Sequence, residues 1–249
     1  MAMKRVFLTL MTVALGLFST TEVFAYDCEV DGIYYYRVST SELEVTNKVF
    51  SDQNRSAYSG TVNIPSTVTY NGRTYTVVSI GEYAFRDCSQ ITSVSIPASV
   101  KSIKDFAFYN CSQMAKVNIP EAVNYIGANA FEGCASMTAA PIPNGITAIE
   151  NNTFFGCSSL KTVIIPATVQ SIGSEAFARC YSLTSIYLTS GTPPTCEENA
   201  FDKVDRTWVT LYIPKTSSGY TEDGIWKEFF IDQYSGRIED IAGQKKSKK

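Results

Sequence analysis

Apolar and polar positions recur along this chain with a period of 23 residues. Aligned on an Ala-Phe pair, the copies fall at Ala84-Phe85, Ala107-Phe108, Ala130-Phe131, Thr153-Phe154, Ala176-Phe177 and Ala200-Phe201, with only the last step lengthened to 24. Other columns keep the same step: Ile80, Ile103, Ile126, Ile149 and Ile172; Ile91, Met114, Met137, Leu160 and Leu183; Cys88, Cys111, Cys134, Cys157 and Cys180. A fixed period of this length is the mark of a solenoid, in which each repeat buries its apolar face only against its neighbours.

Within one copy, stretches such as "ITSVSIP" and "LKTVIIP" alternate like a strand and stop at proline, which has no N–H for a ladder. In "IGEYAFRDC", Ile80, Ala84, Phe85 and Cys88 fall at helical spacing, which predicts a short helix or helical turn. The expected unit is therefore strand, turn, short second strand and helical turn. Each fully buried Ile, Leu or Phe contributes roughly 1.5–3 kcal/mol, enough to hold such a stack without cross-links.

The ends of the stack need lids. "TYNGRTY" places Asn71-Gly72 between β-formers, a two-residue hairpin signal, and with "DGIYYYRV" it predicts a β-rich N-terminal cap. In "YTEDGIWKEFFIDQY", Ile225, Trp226, Phe229 and Phe230 fall on one helical stripe and predict a helical C-terminal cap. Before these parts come Lys4 and Arg5, then the apolar run Val6 to Phe18, then Val23-Phe24-Ala25. That run is too short for a hydrocarbon core of roughly 30 Å, and the order is that of a signal peptide cleaved near Ala25. No later segment predicts a transmembrane helix. The expected organisation is a signal peptide over 1–25, N-terminal cap over 26–78, solenoid over 79–214, C-terminal cap over 215–240 and basic tail over 241–249.

The run I-P-x-x-V-x-x-I-G-x-x-A-F-x-x-C-x-x-L, as in "IPATVQSIGSEAFARCYSL" from Ile165, resembles the BspA-like, or Treponema-type, leucine-rich repeats over about Val78 to Pro214. Lys104, Glu150 and Glu197 depart from it by replacing glycine, and "AAPIP" at Ala139 is a weak strand. The resemblance implies an α/β solenoid of about six coils. It also implies an exported bacterial surface or secreted protein that binds other proteins or host surfaces without catalysis.

Composition narrows the chemistry. The chain has no histidine, which removes Ser-His and Cys-His nucleophile pairs and the commonest zinc ligand. It carries no Gly-rich phosphate loop, H-E-x-x-H or EF-hand pattern, so no cofactor or metal is expected. The polar "SDQN" from Ser51 reads as a cap loop, and Asp87, Asp105, Glu132 and Glu175 read as solvated convex positions. Without leader and tail lysines, 15 basic and 23 acidic residues remain, a balance near −8 that argues against nucleic acid.

The cysteine column reads as packing. In the last repeat Val204 takes the Cys slot and Cys196 takes an Ile slot, so the positions want a compact apolar side chain. One thiol per coil, spaced at least about 4.8 Å from the next, cannot gather a four-ligand zinc site. Cys28 lies outside the column and is unassigned.

Binding is the expected activity, on the outward positions of the strand face. They are Lys116 and Asn118, Thr162 and Ile164, Ser185 and Tyr187, and Thr210 and Tyr212, becoming more apolar toward the C-terminus. Tyrosine buries area at low entropy cost, which suits an interface. The expected role is adhesin-like, with a protein partner; the alternative is an exported glycan-capture or envelope scaffold component.

Overall fold

The computed structural model describes residues 26–48, 58–221 and 224–235. The leader through Ala25, the loop at Ser51 and the tail over 241–249 lie outside them. The N-terminal part is β-rich. Strands β1 (Cys28–Val30), β2 (Ile33–Arg37) and β3 (Glu42–Thr46) form an antiparallel meander. After β4 (Gly60–Asn63), strand β5 (Thr67–Tyr70) turns back into β6 (Arg73–Ile80) as a hairpin. Asn71 and Gly72 make that turn with φ of 50° and 74°, the left-handed pair a two-residue hairpin demands.

From β6 onward each repeat supplies two strands, the first longer than the second except for β11 and β12, which have two residues each. The pairs are β7 (Ile91–Ser95) with β8 (Ser102–Ile103), and β9 (Lys116–Asn118) with β10 (Tyr125–Ile126). Next come β11 (Ala139–Ala140) with β12 (Ala148–Ile149), and β13 (Thr162–Ile165) with β14 (Ser171–Ile172). The last are β15 (Ser185–Leu188) with β16 (Thr195–Cys196), then β17 (Thr210–Pro214) and β18 (Phe230–Tyr234). The longer strands stack in parallel as β4-β7-β9 and β11-β13-β15-β17-β18; the shorter ones continue from β6 as β6-β8-β10 and β12-β14-β16. The result is a β-solenoid of about seven turns, one more than the repeat count predicts.

The stretch expected to be helical is not. Ala84, Arg86 and Cys88 donate their backbone N–H three residues back, to Gly81, Tyr83 and Phe85 at 3.1–3.2 Å. The intervening Tyr83, Phe85 and Asp87 donate instead to Asp105, Ala107 and Tyr109 of the next coil, at 2.7–3.2 Å. A chain that sends every second N–H outward cannot close a continuous i→i−4 ladder. Left-handed residues enforce the alternation, at Tyr83 (φ 60°) and Asp87 (φ 59°) here, and at Phe106 and Asn110, Asn129 and Gly133, Asn152 and Gly156, and Glu175 and Arg179 in later coils. This third face of each coil is a wall of turns, so the fold is all-β rather than α/β.

The wall of turns aims the phenylalanines inward in one stack. Phe85, Phe108, Phe131, Phe154, Phe177 and Phe201 lie with successive centroids 5.0–5.6 Å apart and rings within 11° of parallel. Beside them Cys88, Cys111, Cys134, Cys157 and Cys180 are fully buried and form no disulfide. These thiols do more than fill space. Cys111, Cys134, Cys157 and Cys180 donate to the carbonyls of Phe85, Phe108, Phe131 and Phe154 in the preceding coil at 3.1–3.3 Å. Cys196 sits in register with Ile172, half-buried.

Aromatic residues close both ends of the stack. Tyr58 lies 4.7 Å from Phe85, and its hydroxyl donates to the Thr46 carbonyl at 2.7 Å. At the far end Phe201 meets Phe229 and Trp226 edge-on at 5.3 and 6.0 Å. The Trp226 indole N–H donates to the Pro194 carbonyl at 3.1 Å, and the Tyr220 hydroxyl lies 3.1 Å from the carbonyls of both Ser190 and Thr192. The C-terminal cap is not helical: a four-residue 3-10 turn over Ile225–Glu228 gives way to β18. Strand β17 would otherwise expose a row of unpaired backbone groups, and β18 satisfies it over five residues in parallel register. Phe230 accordingly leaves the core and is 67% exposed.

Two outcomes are expected. Phe131→Ala opens a void in mid-stack and should cost about 3–5 kcal/mol in urea unfolding; a loss under about 1 kcal/mol would contradict a continuous stack. Burial raises the Cys111, Cys134 and Cys157 thiols well above the ordinary 9.0 and takes Cys180 and Cys196 to about 12. The unfolded chain releases these protons first, so their contribution is complete below pH 9 and falls as pH rises toward 12. Thermal melts across that interval should show a steep decline in Tm, beyond that of a variant carrying Val at Cys134, Cys157 and Cys180.

Candidate functional site

Alternation decides which side chains the longer strands offer outward. In β17 and the residue before it, Val209 and Leu211 are fully buried, so Thr210 and Tyr212 point away from the core; Trp208, in the turn that leads into the strand, is exposed as well. Parallel register carries this across the sheet. Thr162, Ser185, Thr210 and Phe230 form one outward row, and Ile164, Tyr187, Tyr212 and Asp232 the next. Six of the expected binding residues thus share one five-stranded sheet. Lys116 and Asn118 lie on β9 in a separate sheet, and the Asn118 amide is engaged with the backbone of Ile96, accepting at 2.9 Å and donating at 3.1 Å.

The two tyrosines expected to face a partner are buried. Tyr187 and Tyr212 stack at 4.5 Å with rings 13° apart, and only 2% and 4% of their surface is exposed. Ile164 and Tyr234 pack against the pair, and the Tyr234 hydroxyl donates to the Leu188 carbonyl at 2.9 Å. This cluster is a small second core on the outside of the sheet.

The aromatic surface that is open lies one row away. Trp208 is 77% exposed in the turn that leads into β17, and Phe230 is 67% exposed at the start of β18, in register with Thr210. Neither was expected as a binding residue. Extending the alternation of "WVTLYIP" by two positions finds Trp208; reading "FFIDQY" as a strand rather than a helix finds Phe230.

Two other regions are of different character. A groove of about 300 Å³ runs over the shorter strands, lined by Glu150, Ser171, Gly173, Thr195, Cys196 and Glu197. Its thiol is held protonated by burial and is a poor nucleophile. On the wall of turns the Arg86 guanidinium lies over Tyr83 and Tyr109 at 5.2 and 5.3 Å, and Tyr83 stacks on Phe106, so these groups are occupied by one another. Asp105 accepts from the Tyr125 hydroxyl and the Ala128 N–H, both at 3.1 Å, a structural role. Among the described residues no group of three or more His, Cys, Asp or Glu is placed to hold a metal. No helix among them is long and apolar enough to cross a membrane.

Comparison with known proteins agrees with this geometry. The family described as BspA type leucine rich repeat region matches residues 78–206, in six copies. The chain belongs to that family. Its solenoid is similar to the leucine rich repeat protein of T. pallidum, with 28% identity over 65% of this chain and 71% of that one, and a TM-score of 0.55. It is also similar to a leucine rich cell surface protein of Faecalibacterium prausnitzii, with 26% identity over 78% of this chain and a TM-score of 0.58. This chain spans 55% of the length of that protein. Comparison with curated proteins returned no match. Leucine-rich repeat proteins are in general binding scaffolds rather than catalysts.

The chain has two tryptophans, one exposed and one buried. Trp226→Phe should leave red-shifted emission that acrylamide quenches readily, and Trp208→Phe a blue-shifted, protected emission. Equal quenching in the two variants would contradict the placement of Trp208.

Proposed function

We propose that this family member is an exported, non-catalytic binding protein, secreted or held at the cell surface, that engages proteins of a host or neighbouring cell through its strand face. The observation that carries this reading is the exposure of Trp208, in the turn before β17, and of Phe230, at the start of β18, on a sheet packed against the phenylalanine stack. Large aromatics held open on a preordered surface are what a partner can bury at little entropic cost. The signal-like leader through Ala25 and the cell-surface description of the F. prausnitzii protein support export. Under this reading the described residues within 26–78 and 215–240 close the stack. Thr162, Ser185 and Thr210 lie in the same outward row as Phe230, and Ile164, Tyr187 and Tyr212 in the next row.

A second reading follows from the hydroxyl row of Thr162, Ser185 and Thr210 beside the aromatic rings, a combination that also suits a sugar: glycan capture, or a scaffold in the envelope. The mature chain should be screened against host extracellular-matrix proteins and an oligosaccharide panel. The first reading predicts a protein ligand whose Kd weakens at least about tenfold in the Trp208→Ala/Phe230→Ala double variant. A ligand unaffected by both changes would refute the site, and binding confined to oligosaccharides would replace the first reading with the second.

A further inference from the structure

Both strand walls of the solenoid are interrupted at the same junction. Strand β9 pairs with β7 and β11 with β13, but β9 and β11 do not pair; likewise β10 pairs with β8 and β12 with β14, but β10 and β12 do not. The sequence supplies a cause for the first gap. Pro141 follows β11 at the repeat position held by Asn118 one coil earlier and Ile164 one coil later, and it has no N–H to give across the junction. The phenylalanine stack is also widest here, at 5.6 Å between Phe131 and Phe154.

The wall of turns, by contrast, is unbroken and reinforced at this junction. Asn129, Phe131 and Gly133 donate to the carbonyls of Asn151, Thr153 and Phe155 at 2.8–3.0 Å. Thr153 replaces the alanine of every other aligned copy. Its buried hydroxyl donates to the Glu150 carbonyl at 2.8 Å and lies 3.4 Å from the Gly127 carbonyl of the preceding coil. Across the open side, the exposed Glu121 carboxylate accepts from the Asn144 N–H and side-chain amide, each at 3.1 Å. A pivot is therefore held on one wall, while hydrogen bonding across the other two is confined to one side chain at a surface corner, beside an apolar core that continues through the junction.

We propose that this junction is a hinge: the coils up to β10 and those from β11 onward flex about the wall of turns, opening and closing the two strand walls. The hinge itself stands independently of the binding reading. Its consequence rests on that reading: Lys116 lies on one side of the junction and Trp208 and Phe230 on the other, so a partner touching both selects one curvature.

Spin labels carried on a keto-bearing amino acid test this without using the native thiols. One pair, at positions 93 and 185, spans four coil steps across the junction. The control, at 139 and 230, spans four steps within the continuous β11-β13-β15-β17-β18 sheet. Both spans are roughly 19 Å of backbone. The hinge predicts a distance distribution at least about twice as broad for the first pair as for the second. It also predicts that Pro141→Val, which restores the N–H, narrows the first toward the control. Equal widths in the unsubstituted protein would overturn the hinge, whether or not the Pro141→Val protein folds. A width unchanged in a folded Pro141→Val protein would overturn the cause assigned to Pro141.

Discussion

The structure depends on how one short stretch of backbone divides its N–H groups. In each wall of turns, alternate amides close local turns and the others reach the next coil, as Ala84, Arg86 and Cys88 do against Tyr83, Phe85 and Asp87. The local turns bend the chain inward and the outward bonds set the coil spacing. Together they bring ring over ring in the Phe85–Phe201 stack at a nearly constant separation. The Phe85, Phe108, Phe131 and Phe154 carbonyls each accept the cysteine N–H of their own coil, and each takes a second hydrogen bond from the thiol of the following coil. The thiol column is thus both filler and donor. Val204 in the last copy fills without donating, consistent with its place at the end of the column.

Much of this was legible in the sequence. The 23-residue step, the buried Ile, Leu, Phe and Cys columns and the Asn71-Gly72 turn could each be read from residue type and spacing. The wall of turns was harder to see: Asp87, Asn110, Asn129, Gly133, Asn152 and Gly156 are residue types that favour a positive φ, but the same columns hold Tyr83, Phe106, Glu175 and Arg179, which carry no such sign and hide the pattern. Helical spacing of Ile80, Ala84, Phe85 and Cys88 is met equally by turns that return to the same face. The C-terminal cap was misread for a related reason. Its aromatic spacing fits a helix, but the open edge of β17 requires strand pairing, a tertiary demand that local pattern does not reveal.

The proposed binding surface was half legible. Strand alternation placed Ile164, Tyr187 and Tyr212 on the outer row, but a row one ring high can bury itself by stacking, and this one does. Exposure therefore passes to Trp208, in the turn before β17, and Phe230, at the start of β18. The continuous C-terminal sheet carries this end of the face, while the interruption at Pro141 separates it from the more polar β9 and β7.

The central claim, that the turn wall locks the thiol and phenylalanine columns into one closed core, is tested most directly by alkylating the mature protein's cysteines, native and then unfolded, with mass read-out. The account predicts that Cys88, Cys111, Cys134, Cys157 and Cys180 are protected in the native protein, that half-buried Cys196 reacts first, and that every thiol is free after unfolding. Ready native labelling of the five column cysteines, or disulfide pairs persisting in the unfolded chain, would contradict it.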